Sequence, residues 1–136
     1  MRKRSHLVLL AALTIALGLA SRRFPALFPS MLGKYPGDAL YAVLVYWLVA
    51  FARPGTSPPR CAVVATAFCF AIEFLQLWQQ PLLKAVRSTT LGHLVLGSSF
   101  GALDLVAYVA GTAAACAVEV VVQRTRRDSR RGSHRK

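Results

Sequence analysis

An all-α integral membrane bundle of four transmembrane helices is the fold class this sequence predicts, on three observations. Four apolar runs dominate a chain of 136 residues that is 55% hydrophobic. Most of the 17 Lys and Arg residues lie outside those runs, at Arg2, Lys3 and Arg4 and again from Arg124 to Lys136. Breaks rich in Pro, Gly and Ser separate the runs, the firmest being RPGTSPPR, Arg53 to Arg60. Cations placed at the ends of long apolar stretches mark a polytopic membrane protein rather than a basic globular surface.

The first helix is expected at about residues 5–21, around the apolar run Leu7 to Ala20. That run, with its basic start and the small residues Gly18 and Ala20, also fits the plan of a cleaved signal peptide. The second helix is expected at about 38–53, the third at 61–80 and the fourth at 101–122. A crossing helix needs roughly 17–25 residues, which the third and fourth satisfy outright. Residues 1–122 then form a single transmembrane domain, and 123–136 a basic, disordered cytoplasmic tail. Arg22 to Asp38 mixes three prolines with aromatics and reads as an outer loop at the membrane interface. Pro81 to Phe100 is either an outward extension of the fourth helix or an interfacial or re-entrant segment before it.

The two tails and the loop after the second helix carry twelve basic residues, against five in the other two loops. By the positive-inside rule both termini are cytoplasmic and the protein is multi-pass in the cell inner membrane. The basic tail QRTRRDSRRGSHRK then sets topology and touches anionic lipid, and no nucleic-acid partner is expected.

Polar residues inside the apolar runs carry the remaining information. In FAIEFLQLWQQ, Glu73, Gln76 and Gln80 fall at i, i+3 and i+7, on one helical face. Gly97, Gly101, Asp104, Tyr108, Gly111 and Ala115 step by three and four, an unbroken helical seam of small and polar residues. Gly97, Gly101 and Gly111 are its expected helix-packing positions, where small side chains let backbones approach. With this topology Asp38, Glu73 and Asp104, three of the five acidic residues, share the outer half of the bilayer. Charged groups there cost roughly 2.5–3.5 kcal/mol each on insertion scales, so they are normally paired. The expected site is therefore a polar cluster of Asp38, Tyr41, Glu73, Gln76, Arg87, Asp104 and Tyr108. Arg87 is its nearest cation, with Arg22, Arg23 and Lys34 as further candidates. Cys61, Cys69 and Cys116 show no metal-ligand spacing and read as small apolar side chains. No metal, cofactor or catalytic residue is expected.

Gly37-Asp38-x-x-Tyr41, Glu73-Phe74-Leu75-Gln76-Leu77, Arg87, Thr89 or Thr90, Leu91-Gly92, Leu96-Gly97, Phe100, Asp104, Tyr108 and Gly111 form a set. It resembles the small bacterial membrane proteins grouped as domain of unknown function twenty-eight-oh-nine, over about Phe24 to Gly111. The layout E-x-x-Q, then R, then D followed by a small-residue seam is more distantly similar to VanZ-like proteins, which are linked to glycopeptide resistance and the cell envelope. The resemblance implies a bacterial four-helix membrane protein and assigns no activity. Membrane lipid is the expected partner, with a lipid headgroup or a lipid or glycan precursor of the cell envelope at the cluster. The competing readings are a polar network that only fixes helix register, a small transporter or proton relay, and an intramembrane enzyme using His93 beside the carboxylates.

Overall fold

Helix propensity and apolar length put the backbone into helices almost throughout, since a backbone among lipid tails must satisfy its own hydrogen bonds. The computed structural model describes residues 2–27, 33, 35–76, 81–96 and 101–133. Along the chain these form α1 (Arg4–Arg23), a 3-10 turn (Pro25–Leu27), α2 (Tyr35–Ala52), α3 (Pro58–Leu75), α4 (Pro81–Ser88), α5 (Thr90–Leu96) and α6 (Ala102–Ser133). There is no strand among the described residues. Four helices, α1, α2, α3 and α6, are long and apolar enough to cross a membrane, the mark of a multi-pass membrane protein.

The burial pattern agrees with that solvent. Glu73, Asp104 and Glu119 are buried, while Val63, Val106 and Leu103 are among the most exposed side chains. In water this distribution would be inverted. On a lipid-facing surface it is expected.

The α2–α3 turn follows from its sequence. Arg53 N–H closes on Val49, Thr56 N–H turns back to Arg53, and prolines occupy the first turn of α3, where their missing N–H costs nothing. Helices α2, α3 and α6 pack against one another, and α1 packs along α2. Small residues at helical spacing make the close contacts: Ala42 and Ala50 flank Tyr46 on α2, and Cys61, Ala65 and Cys69 line α3, all fully buried. Cys61 and Cys69 are free thiols. In α1 only Leu7 is buried, and Leu9, Leu13, Leu17 and Leu19 face outward. Arg4 of α1 lies 5.5 Å over the ring of Phe51 near the end of α2, so these helices run antiparallel. The end that holds Arg2 and the α2–α3 turn is termed the terminal end; the opposite one is the loop end.

Several boundaries differ from the sequence reading. The second helix starts at Tyr35, before Asp38, and the third spans Pro58–Leu75 rather than reaching Gln80. Helix α6 continues to Ser133, where a disordered tail is expected from residue 123. Arg and Gln are good helix formers, and Asp128 lies four residues after Arg124 and three before Arg131, a helical spacing. At 32 residues α6 is about 48 Å long. A hydrocarbon layer is about 30 Å thick, so the last turns extend beyond it. Pro81 to Leu96 is not an extension of the fourth helix, which starts at Ala102. It forms two short helices, α4 and α5, that meet at Ser88–Thr89. The Thr89 hydroxyl caps this elbow, donating to Val86 O and accepting from Gly92 N–H. A Cβ on Gly92 would lie 1.7 Å from the Val86 carbonyl oxygen, so only glycine fits there.

Candidate functional site

Glu73 lies in the last turns of α3 on the face that α6 covers, and it is fully buried. Its carboxylate collects three donors. Oε2 accepts from the Tyr108 hydroxyl at 2.9 Å and from the Gln76 amide at 3.3 Å. Oε1 accepts from the Gly101 backbone N–H at 2.9 Å. Gln76 follows one helical turn later on the same face, as its spacing predicts. Tyr108 lies in α6 and Gly101 immediately precedes it, so one side chain holds the two helices in register. Asp104, 3% exposed, occupies the first turn of α6, where a carboxylate complements the positive end of the helix dipole.

Tyr41 and Asp38 extend this region from α2. The Tyr41 hydroxyl donates to Val95 O at 3.0 Å and so fastens α5 over the loop end. Its ring lies 6.2 Å from that of Tyr108. Beneath α5 is an open recess lined by Arg22, Asp38, Tyr41, Gln76, His93 and Tyr108 among others.

Of the seven expected cluster residues, Asp38, Tyr41, Gln76 and Tyr108 line this recess, Glu73 is bonded to Gln76 and Tyr108, Asp104 is buried in the first turn of α6, and Arg87 plays a different part. The sequence reading makes Arg87 the cation that holds the carboxylates. In the structure its guanidinium donates to the backbone carbonyls of Leu75 and Gln76 instead. The last carbonyls of a helix lack intrahelical partners, and in apolar surroundings they need a donor. Arg87 supplies it and links α4 to the end of α3. Among the described residues, Arg22 is the arginine that lines the recess, which Asp38 also lines. The glycines also separate. Gly111 is a packing position: a Cβ there would lie 2.2 Å from the Ala39 carbonyl oxygen. Gly101 precedes α6, and its amide serves Glu73. Gly97 lies outside the described residues, as do Lys34 and Gln80.

A second polar centre at the terminal end escapes the sequence reading. Glu119, 8% exposed, accepts from the Arg2 guanidinium, the Tyr46 hydroxyl and, at 3.3 Å, the Gln123 amide. Arg2 also donates to the Pro54 and Thr56 carbonyls, tying the N-terminus to the α2–α3 turn. It forms the one ion pair between described residues. Burial opposes the Arg2 charge, but the hydrogen bond and charge of Glu119 outweigh it and raise its pKa. The available signal was that Glu119 stands four residues beyond Ala115 on the same seam. Arg2→Ala is expected to cost on the order of 1–2 kcal/mol, because Glu119 keeps its Tyr46 and Gln123 donors. Faster proteolysis at the N-terminus would report it; an unchanged rate would show that the clasp does not hold α1.

Between the two centres, the hydroxyls of Thr66 and Thr112 lie 2.7 Å apart and join α3 to α6. Among the described residues no group of three His, Cys, Asp or Glu side chains is placed to hold a metal.

No solved structure matches the chain. A family described as Protein of unknown function (DUF2809) matches residues 27–112, a range that holds Asp38, Tyr41, Glu73, Gln76, Arg87, Asp104 and Tyr108 and leaves out Arg22 and the Arg2–Glu119 clasp. With well over half its length in that match, the chain belongs to the DUF2809 family.

Proposed function

We propose that the recess at the loop end binds the polar headgroup of a membrane lipid or of a lipid-linked cell-envelope precursor. The observation that carries this reading is the lining itself. Arg22, Asp38, Gln76, His93 and two tyrosines converge on one opening at the loop end. Polar groups at membrane depth are costly, and Arg22 and His93 lie outside the Glu73 and Glu119 networks that already join the helices. The excess of basic residues at the terminal end supports an orientation with that end in the cytoplasm, so that the recess faces the outer leaflet of a bacterial inner membrane. The layout shared with VanZ-like proteins favours an envelope ligand.

The alternative, a purely structural network, draws on the full engagement of Glu73. The two separate on a variant that fills the recess without touching that network. Leu94 lines the recess from α5. In Leu94→Trp, lipid that co-purifies with the wild-type protein, measured by mass spectrometry, is expected to fall severalfold while thermal stability stays within about 0.5 kcal/mol. An unchanged lipid profile would leave register as the role of the cluster.

A further inference from the structure

We infer that the last three turns of α6 form a second binding site, an arginine-faced arm that takes the phosphate groups of anionic phospholipids in the leaflet at the terminal end. This site is separate from the loop-end recess and does not rest on the reading of that recess.

Height is the first argument. At the helical rise, Ala102 to Val122 of α6 measures about 31 Å, which matches a hydrocarbon layer of about 30 Å. Arg124 is therefore the first arginine beyond that layer, and Arg126 and Arg127 follow within about one turn. A disordered tail would spread its charge over many heights, whereas a helix continuous to Ser133 fixes these three at the level of the lipid phosphates. Arg130 and Arg131 stand about one turn further out.

Direction is the second. All five of these arginines fall within an arc of about 160° at 3.6 residues per turn. Thr125, Asp128, Ser129, Gly132 and Ser133 take the other side, and the hydroxyls of Thr125 and Ser129 turn back onto the carbonyls of Val121 and Thr125. Buried Tyr108, Thr112, Ala115 and Glu119 mark the bundle side of α6. Seven and eleven residues beyond Glu119, Arg126 and Arg130 continue that line. They therefore stand on the side of the α2–α3 turn, which Arg2 ties to the level of Glu119 and which carries the exposed Arg53 and Arg60.

Charge and chemistry name the occupant. Among the described residues Arg2–Glu119 is the one ion pair, so these exposed arginines have no acidic partner there. Cations gathered without a counter-charge repel one another, and an anion between them relieves the repulsion. Every basic residue from 123 to 133 is arginine, whose planar fork takes phosphate oxygens in pairs. The same stretch holds no Leu, Ile, Val, Met or aromatic residue. It offers neither the apolar core of a protein interface nor a stacking platform for nucleic-acid bases. A layer of phosphates at one height is what this arm fits.

The test uses the full-length protein in phosphatidylcholine bilayers with a trace of spin-labelled phosphatidylglycerol or phosphatidylcholine. The fraction of label immobilised at the protein reports the preference. The wild type is expected to favour phosphatidylglycerol by about threefold at low salt and to lose the preference near 1 M salt, where the Debye length is about 3 Å. Replacing all five arginines by glutamine should bring the two lipids level without moving the unfolding midpoint, because the positions are exposed. Arg124→Gln, Arg126→Gln and Arg127→Gln together should carry most of that change, and Arg130→Gln with Arg131→Gln less per residue. An unchanged preference in the five-site variant overturns the inference. So does a preference that survives there but falls in Leu94→Trp, which would place the anionic lipid in the recess. Equal effects per arginine would overturn the fixed heights in favour of a diffuse polybasic tail. Displacement of the labelled phosphatidylglycerol by a short single-stranded RNA would overturn it in favour of a nucleic-acid arm.

Discussion

Glu73→Leu is expected to ease insertion of α3 into a membrane and, at the same time, to weaken the folded bundle by about 3 kcal/mol. The two effects have separate physical origins. On insertion scales a carboxylate at membrane depth costs roughly 2.5–3.5 kcal/mol, and leucine is favourable. In the folded protein, however, Glu73 is the common acceptor for the Tyr108 hydroxyl, the Gly101 N–H and the Gln76 amide. Removing it strands donors that are buried, at about 1–3 kcal/mol each when no substitute is found. Gln76 and Tyr108 can reorient in part, whereas the Gly101 amide is fixed by the backbone. Interhelical polar contacts in membranes average only about 0.6 kcal/mol, so the expected loss exceeds that of a single bond because three meet on one side chain. An insertion assay on α3 and a detergent-unfolding titration of the whole protein would measure the two effects apart. Tyr108→Phe should remove one donor and make the second substitution less costly, so that the pair is non-additive. Full additivity would show that the hydroxyl does not depend on Glu73.

Gly111→Ala should be comparably damaging for a single methyl group. Alanine improves helix propensity by about 1 kcal/mol over glycine, and at a lipid-facing site the change would be stabilising. At Gly111 the added Cβ would stand 2.2 Å from the Ala39 carbonyl oxygen, 3.0 Å from its carbonyl carbon and 3.1 Å from its Cα. These are backbone atoms that no rotamer change can move. Helices α2 and α6 would have to part by about an ångström, loosening their packing and with it the Tyr41–Tyr108 wall of the recess. Overpacking of this kind costs about 1–3 kcal/mol, which outweighs the propensity gain. Ala113→Val, on the exposed side of α6, is the control and should change stability by less than about 0.5 kcal/mol. Equal unfolding midpoints for Gly111→Ala and the wild type would mean that α2 and α6 do not approach this closely in the membrane.

What the sequence by itself determined is periodic and local. The apolar runs fixed four crossing helices, and the Pro- and Gly-rich break fixed the α2–α3 turn. The spacing of Glu73 with Gln76, and of Asp104, Tyr108, Gly111 and Ala115, fixed which face each helix turns inward. All of these residues are buried, because a 3.6-residue repeat leaves a polar stripe nowhere to go but the protein side of a lipid-facing helix.

Which groups meet across helices was decided only by the tertiary structure. Arg87 stands near the carboxylates in sequence, yet it serves the open carbonyls of α3, a demand that arises only where that helix ends. Gly101 fits the helical seam by spacing, but α6 starts after it and leaves its amide for Glu73. Arg2 and Glu119 are 117 residues apart and meet because α1 and α6 bring them to the same end. Arg22 joins the recess through the placement of α1 against α2, which its own nearly uniform apolar surface does not encode. Helix rotation and stagger are set by the fit of whole surfaces, and no interval along the chain records them.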